Sequence, residues 1–284
     1  MLRVMVRAAI LLAALALAGC GGDPPPPAPP APPPQGTVVW AIGDAATGGD
    51  AGRRLARLVE RGPVDRLVYL GDVYETGTRR EFDRRYDPLY GGLASRTTPV
   101  MGNHEYGKRE EGFVPYWREK VGRAPRPWEA LDVAGWELLV LNSEAPHGER
   151  SPQLRWLRDH LRGGGRTTCR IAFWHRPRFS AGRHGDQRDI APLWDAVRGH
   201  VVAVVSGHDH DLQRLRPIDG IVQFVSGAGG RGLYGVDEDD RRLAFGDDQR
   251  FGGLRLELRP GEATYTFVDE AGGAVDRGEL RCER

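Results

Sequence analysis

In Val202-Ala203-Val204-Val205-Ser206-Gly207-His208-Asp209-His210 an apolar run breaks at one glycine into three polar side chains. A similar break occurs four times upstream, three of them at a glycine. Val38-Val39-Trp40-Ala41-Ile42 leads into Gly43-Asp44, and Leu67-Val68-Tyr69-Leu70 into Gly71-Asp72. Thr98-Pro99-Val100-Met101 leads into Gly102-Asn103-His104-Glu105, and Ile171-Ala172-Phe173-Trp174 into His175. Short apolar runs of this kind read as buried strands. In α/β folds, ligands gather at the carboxyl ends of strands, and a glycine there lets the chain turn sharply and approach closely. A lone Gly-Asp is an ordinary turn, but five such ends in order are not five unrelated turns. Carboxylates and imidazoles buried without partners are costly, so bunching them at one rim makes sense around metal ions.

Between these strands the pattern is helical. Arg53–Glu60, Arg79–Tyr90 and Ile190–Arg198 read as helices. Ser151–Arg162 starts with a Ser-Pro N-terminus and carries Leu154, Leu157 and Leu161 at helical spacing. Trp136–Leu141 is a further strand. After residue 210 the pattern changes. Leu212–Pro217, Ile221–Val225, Leu254–Leu258, Ala263–Val268 and Ala274–Leu280 read as antiparallel strands joined by Gly-rich turns. The first two thirds are therefore α/β and the last third β-rich. The run Ser226–Gly232 reads as the turn after a strand, with a phosphate-facing loop as the less common alternative. His147, His160 and His200 fit no motif and read as structural or solvated.

The ordered motifs resemble those of the calcineurin-like metallophosphoesterases, and within them the purple acid phosphatase branch. The likeness covers about Thr37 to Tyr234. The stretches Gly71–Tyr106 and Trp174–Ser180 are also similar to secreted bacterial members. The resemblance implies a four-layer α/β sandwich of two facing mixed β-sheets flanked by helices, with a dinuclear metal centre on the loops. By motif, Asp72 would bridge the two ions, Asp44 and His210 would hold the first, and Asn103, His175 and His208 the second. This donor set, free of thiolate, suits Fe, Zn or Mn. The implied reaction is phosphomonoester hydrolysis, with a bridging hydroxide attacking phosphorus in line and His104 as general acid. His184, nine residues after His175, matches the substrate-facing histidine of the tartrate-resistant acid phosphatases; a solvated loop histidine is the alternative. Arg176, Arg178 and Arg183 are candidate phosphate contacts or surface arginines.

Two departures stand out. The histidine usual two residues after the first aspartate is replaced by Ala46. The tyrosine of purple acid phosphatases lies three residues after the second aspartate, whereas Tyr74 comes only two after Asp72. One residue redirects a side chain in an extended segment, so Tyr74 reaches the first metal only if its loop is remodelled. Rival readings are a phosphodiesterase or nucleotidase on the same site, and a surface binding protein with a degenerate one.

The start of the chain has a different character. Arg3 and Arg7 precede the uncharged apolar run Ala8–Ala18, which is too short to span a bilayer as a helix. Leu17-Ala18-Gly19-Cys20 then resembles a bacterial lipobox, so residues 1–20 read as a lipoprotein signal with Cys20 as the lipidated residue. Residues 21–36 form a Pro-rich spacer, and residues 37–284 the folded domain. Nine prolines fall between Asp23 and Pro34, a composition that prefers extended polyproline II. An exported chain meets an oxidising compartment, where Cys169 and Cys282 are expected to bridge.

Composition excludes other classes. The 284 residues are 40% hydrophobic and 28% charged, within the globular range. The formal charge is +1, and removing the signal takes away two arginines and no acid. Such a balance, with no basic stripe interleaved with aromatics, argues against a nucleic-acid partner. The expected partners are a small phosphoester and, through the lipid, a membrane.

Overall fold

The computed structural model describes residues 36–163 and 169–282. The segment read as a signal, with Cys20, and the stretch Asp23–Pro34 read as a spacer lie outside the described residues. The strands are β1 (Thr37–Ile42), β2 (Arg66–Tyr69), β3 (Thr97–Pro99), β4 (Glu129–Val133), β5 (Trp136–Val140), β6 (Cys169–Phe173), β7 (Ala203–Ser206), β8 (Leu212–Leu215), β9 (Val222–Ser226), β10 (Leu243–Asp247), β11 (Gly252–Arg259), β12 (Glu262–Asp269) and β13 (Ala274–Arg281). They form a six-stranded sheet, β13-β12-β11-β1-β2-β3, and a seven-stranded sheet, β10-β8-β9-β7-β6-β5-β4. Both are mixed. β1, β2 and β3 run parallel while β11 meets β1 antiparallel; β5, β6, β7 and β9 run parallel while β4 and β8 lie antiparallel to their neighbours.

The alternation along each central strand builds three packed layers of side chains. Val39 and Ala41 of β1 join Ile171 and Phe173 of β6 in the core between the sheets. Val38, Trp40 and Ile42 face the other way, onto Leu55, Ala56 and Val59 of the helix Asp50–Arg61. Ala172 and Trp174 likewise meet the helices Pro152–Gly163 and Ala191–Val197. Helices cover both outer faces, which is why the parallel strands are apolar at nearly every position. The helix at Pro152 starts as its sequence predicts: Ser151 Oγ accepts from the Leu154 N–H at 3.1 Å, and Leu154, Leu157 and Leu161 are buried.

The last third is not a separate antiparallel unit. β11 to β13 extend the first sheet, and β8 to β10 extend the second. β9, expected to be antiparallel, also pairs parallel with β7. Two strands and two helices, the four-residue Asn103–Tyr106 and the longer Phe113–Val121, escaped the periodicity. β4 and β10 are edge strands with a single buried residue each, so their alternation is faint. The helix Phe113–Val121 has Pro115 in its first turn, a position that tolerates proline yet reads as a breaker.

Cys169 opens β6 and Cys282 follows β13, so their disulfide joins the two sheets, with the Cα atoms 5.4 Å apart. Among the described residues no helix is long and apolar enough to cross a membrane.

Candidate metal centre

The five strand ends converge at one rim, and the backbone there is unusual. Asp44, Asp72 and His208 all have positive φ, at 60°, 65° and 73°. That region costs an L-residue energy and is found where surroundings hold it in place, often at functional sites. Here the neighbouring glycines leave the room. A Cβ on Gly207 would come within 2.7 Å of Asp44 Oδ2, and one on Gly102 would strike the Asp72 carboxylate.

One group of donors surrounds Asp44. The Tyr74 hydroxyl donates to Asp44 Oδ1 at 2.7 Å and lies 2.8 Å from His210 Nε2. His210 Nδ1 is 2.9 Å from the Gly232 carbonyl, which can only accept, so Nδ1 carries the proton and Nε2 presents a lone pair. The phenolic proton thus faces two acceptors and can satisfy one. Asp44 Oδ2 accepts from the His208 main-chain N–H at 2.9 Å.

A second group surrounds Asp72. Asp72, His175 and His208 place ligand atoms within 4.8 Å of one another. His175 Nδ1 is tied to the Leu70 carbonyl at 2.7 Å, which turns Nε2 toward Asn103 Oδ1 at 3.0 Å and Asp72 Oδ1 at 3.4 Å. An Nδ1–H anchored on a main-chain carbonyl is how proteins fix a metal-binding imidazole.

Charge balance points the same way. Burial pushes the carboxyl of Asp44 up, and the neighbouring Asp72 adds to it. Burial also opposes charge on Asp72, but His175 and His104 outweigh it and hold that carboxylate below its usual range. His175 rises to about 10 because Asp72 and Asp44 overcome its burial. Burial lowers His208 to about 3 and His210 to about 4, so both imidazoles are neutral at pH 7. Without a cation, the charge of the donor set is offset by a proton on His175 and by the upward shift of the Asp44 carboxyl. Carboxylate, imidazole, amide and phenol oxygen together fit a hard or borderline metal ion.

Two histidines overlook these groups across a cleft of about 150 Å³. His104 Nδ1 contacts the Glu75 carbonyl, leaving Nε2 3.7 Å from Asp72 Oδ2. His184 packs on His208 with ring centroids 4.3 Å apart, and its Nδ1 is 2.9 Å from Asp209 Oδ1. Every metal candidate named from the sequence, Asp44, Asp72, Tyr74, Asn103, His175, His208 and His210, therefore lies at this rim, with His104 and His184 beside it.

Four participants went unread in the sequence. Glu105 is buried, and its carboxylate accepts from the N–H groups of Asp72, Gly102 and Val73, each at 3.1 Å, pinning two strand ends together. It stands inside the quoted Gly102–Glu105 run, which was the available signal. Asp209 supports His184. Tyr234, stacked on His210 at 4.0 Å, carried no signal at all. Arg231 pairs with Glu75 at 2.7 and 3.1 Å and lies 4.6 Å over the Tyr74 ring. With it the Gly-rich run proves more than a turn: the Arg231 N–H donates to the Asp44 carbonyl at 2.9 Å, and Gly232 anchors His210. Arg176 turns away from the cleft to Glu144 and Asp189, while Arg183 lies 5.0 Å over Tyr234.

The comparisons with known proteins agree with this geometry. The family model for calcineurin-like phosphoesterases matches residues 37–212. Tartrate-resistant acid phosphatase type 5 of Oryctolagus cuniculus is 30% identical, the match spanning 80% of this chain and 82% of that protein. The Mus musculus protein of the same name is 26% identical over the same shares. Among solved structures, the purple acid phosphatase from yellow lupin (Lupinus luteus) seeds has a TM-score of 0.69 at 18% identity, covering 88% of this chain and 55% of that one. GAP50, the anchor in the inner membrane complex of Plasmodium, has a TM-score of 0.71 at 16% identity, covering 87% and 89%. From the strand-end motifs, the two-sheet sandwich and these relatives, the chain belongs to the calcineurin-like phosphoesterase family, in keeping with its purple acid phosphatase branch, and is a hydrolase acting on phosphoesters.

Proposed function

We propose that this chain hydrolyses phosphate monoesters with two metal ions held side by side at the cleft. The observation that carries the reading is the pairing of two adjacent donor groups, Asp44–Tyr74–His210 and Asp72–Asn103–His175–His208, at one cleft. Asp44, Tyr74 and His210 would hold one ion, Asn103, His175 and His208 the other, with Asp72 shared. The donors suit Fe, Zn or Mn. When bound, two such ions supply a nucleophile near neutral pH and neutralise charge on the phosphoryl oxygens. His104, anchored through Nδ1 and open at Nε2, is placed to give a proton to the leaving oxygen. His184 Nε2 faces the same space from the opposite loop.

The test is turnover of an aryl phosphate against its bis-aryl diester, after reconstitution with Fe, Zn or Mn in turn. Monoester turnover should be the faster. Faster diester turnover would assign the site to a phosphodiesterase, and an inert protein with every metal would leave a surface binding role.

We infer that the domain is exported and held at a membrane by lipid on Cys20. The charged start, the short apolar run and the lipobox-like Leu17–Cys20 support this. The Cys169–Cys282 bridge supports it independently, since disulfides persist in oxidising compartments. Cys20→Ala should move phosphatase activity from the membrane fraction to the soluble one; activity that stays with the membrane would overturn the anchor.

A further inference from the structure

Asp209 stands between His208 and His210 in sequence, yet its carboxylate serves neither. It is fully buried and takes three hydrogen bonds from one loop. Oδ1 accepts from the His184 main-chain N–H at 2.8 Å and from His184 Nδ1 at 2.9 Å, while Oδ2 accepts from the Ser180 hydroxyl at 2.6 Å. Ser180 Oγ in turn accepts from the Gly182 N–H at 2.9 Å and from the Gln213 amide at 3.0 Å. Gln213 Oε1 closes the circuit by accepting from the Ala181 N–H at 2.8 Å. Residues 180–184 are thus wrapped around a single carboxylate. Gly182 makes the wrap possible, because a Cβ there would lie 2.8 Å from Asp209 Oδ2.

The consequence falls on His184. Its side chain is 36% exposed on a surface loop, where an imidazole would ordinarily sample several rotamers and both tautomers. A carboxylate on Nδ1 removes that freedom: Nδ1 keeps the proton, Nε2 is the open nitrogen, and the ring is held against His208 and Tyr234 at the cleft. We propose that Asp209 is a positioning residue for the phosphoester reaction, acting through His184 by fixing its tautomer and its aim. The loop that places His208 and His210 thereby also places the group facing them. This inference rests on the phosphatase reading above.

The test is a double-mutant cycle in the full-length, metal-loaded protein, with metal content and the ¹H NMR spectrum recorded for each variant. The wild type should show a downfield, exchange-protected Nδ1–H resonance that is absent from His184→Ala and Asp209→Asn alike. Asp209→Asn should keep its metal and lose kcat/KM by about 10-fold or more. In the His184→Ala background the same substitution should cost no further activity. Should Asp209→Asn fail to fold, Ser180→Ala leaves both His184 hydrogen bonds to Oδ1 in place while removing the Ser180 contacts to Oδ2, the Gly182 N–H and Gln213; it should lower kcat/KM several-fold, again without effect once His184 is gone. Losses that multiply in the double variant would overturn the proposal. So would metal loss in Asp209→Asn, or a wild-type spectrum without the resonance. A wild type that shows the Asp209-dependent resonance but turns over no phosphoester would reject the phosphatase reading while leaving the His184–Asp209 pairing in place.

Discussion

Tyr74 donates its hydroxyl proton to Asp44 at 2.7 Å, across the position where the shorter spacing from Asp72 made its reach doubtful. The tether that brings it there lies downstream. Glu81 gathers the main-chain N–H groups of Glu75, Thr76 and Thr78, and Arg85 donates to the Tyr74 carbonyl at 2.7 Å. Burial and the carboxylates of Asp44 and Asp72 push the hydroxyl well above its usual range, so the phenol keeps its proton until a cation replaces it. Iron-reconstituted protein should then show a visible tyrosinate-to-ferric band that Tyr74→Phe abolishes. Active, iron-loaded wild-type protein without colour would remove Tyr74 from the ligand set.

Asp72 is the residue on which both donor groups depend. Its carboxylate meets His175 and accepts from the His104 main-chain N–H at 3.1 Å. Asp72→Ala should lower metal affinity by more than the roughly 10–100-fold typical of losing a supporting hydrogen bond, read as metal content after dialysis. Glu105→Gln makes the useful contrast. Its single amide oxygen keeps an acceptor for the Asp72 and Gly102 N–H groups while giving up the one for Val73, and it should retain more metal than Asp72→Ala.

His104 should behave differently from either. It touches no metal in the proposed arrangement, and its assigned work is proton donation. His104→Ala should keep the metal content while slowing esters of poor leaving groups by about 10²–10⁴-fold. Good leaving groups, which need little protonation, should be slowed far less. Equal losses across a leaving-group series would reject the role.

How much of this was open to reading follows from what kind of interaction sets each feature. Strands β1, β2, β6 and β7 were legible because burial on both faces makes them continuously apolar, and the donors at their ends followed from the same runs. β4 and β10 were not, because an edge strand with one buried residue has no strong alternation. Tyr74 could be named but not placed, since its reach depends on a loop closed by Glu81, seven residues on. Tyr234 could not be named at all. It meets His210 by stacking across 24 positions, and stacking leaves no spacing rule behind. The partition of the last third between two sheets is likewise a long-range pairing choice, visible only as Leu254 opposite Ala41.

The Cys169–Cys282 bridge offers a stability prediction that leaves the chemistry aside. It closes a separation of 113 residues and joins one sheet to the other, at the end of β6 opposite His175. Long loops constrain the unfolded chain most, and losing a native disulfide typically costs about 2–5 kcal/mol. Cys282→Ser should lower the urea midpoint accordingly while kcat at room temperature stays near wild type. A midpoint unmoved by the substitution would mean that the bridge adds no stability.

Glu81 gives a prediction with a defined pH window. Burial would push its carboxyl up, but the N–H groups of Thr78, Glu75 and Thr76 and the Thr78 hydroxyl outweigh it and hold the group at about 2. A depressed acid stabilises the fold fully above its unfolded value, about 4.3 for glutamate. That contribution is lost as pH falls through the folded value, because the unfolded chain binds the proton first. Glu81→Gln should therefore cost about 1 kcal/mol at pH 7, the scale of a helix N-terminal cap. The gap between wild type and variant should shrink as pH is lowered from about 4.3 toward about 2. Urea titrations of metal-free protein at a series of acid pH values measure it. A gap that stays constant across that range would show that the carboxylate's charge does not hold the Tyr74 loop, and the tether would then rest on Arg85 and the Thr78 cap alone.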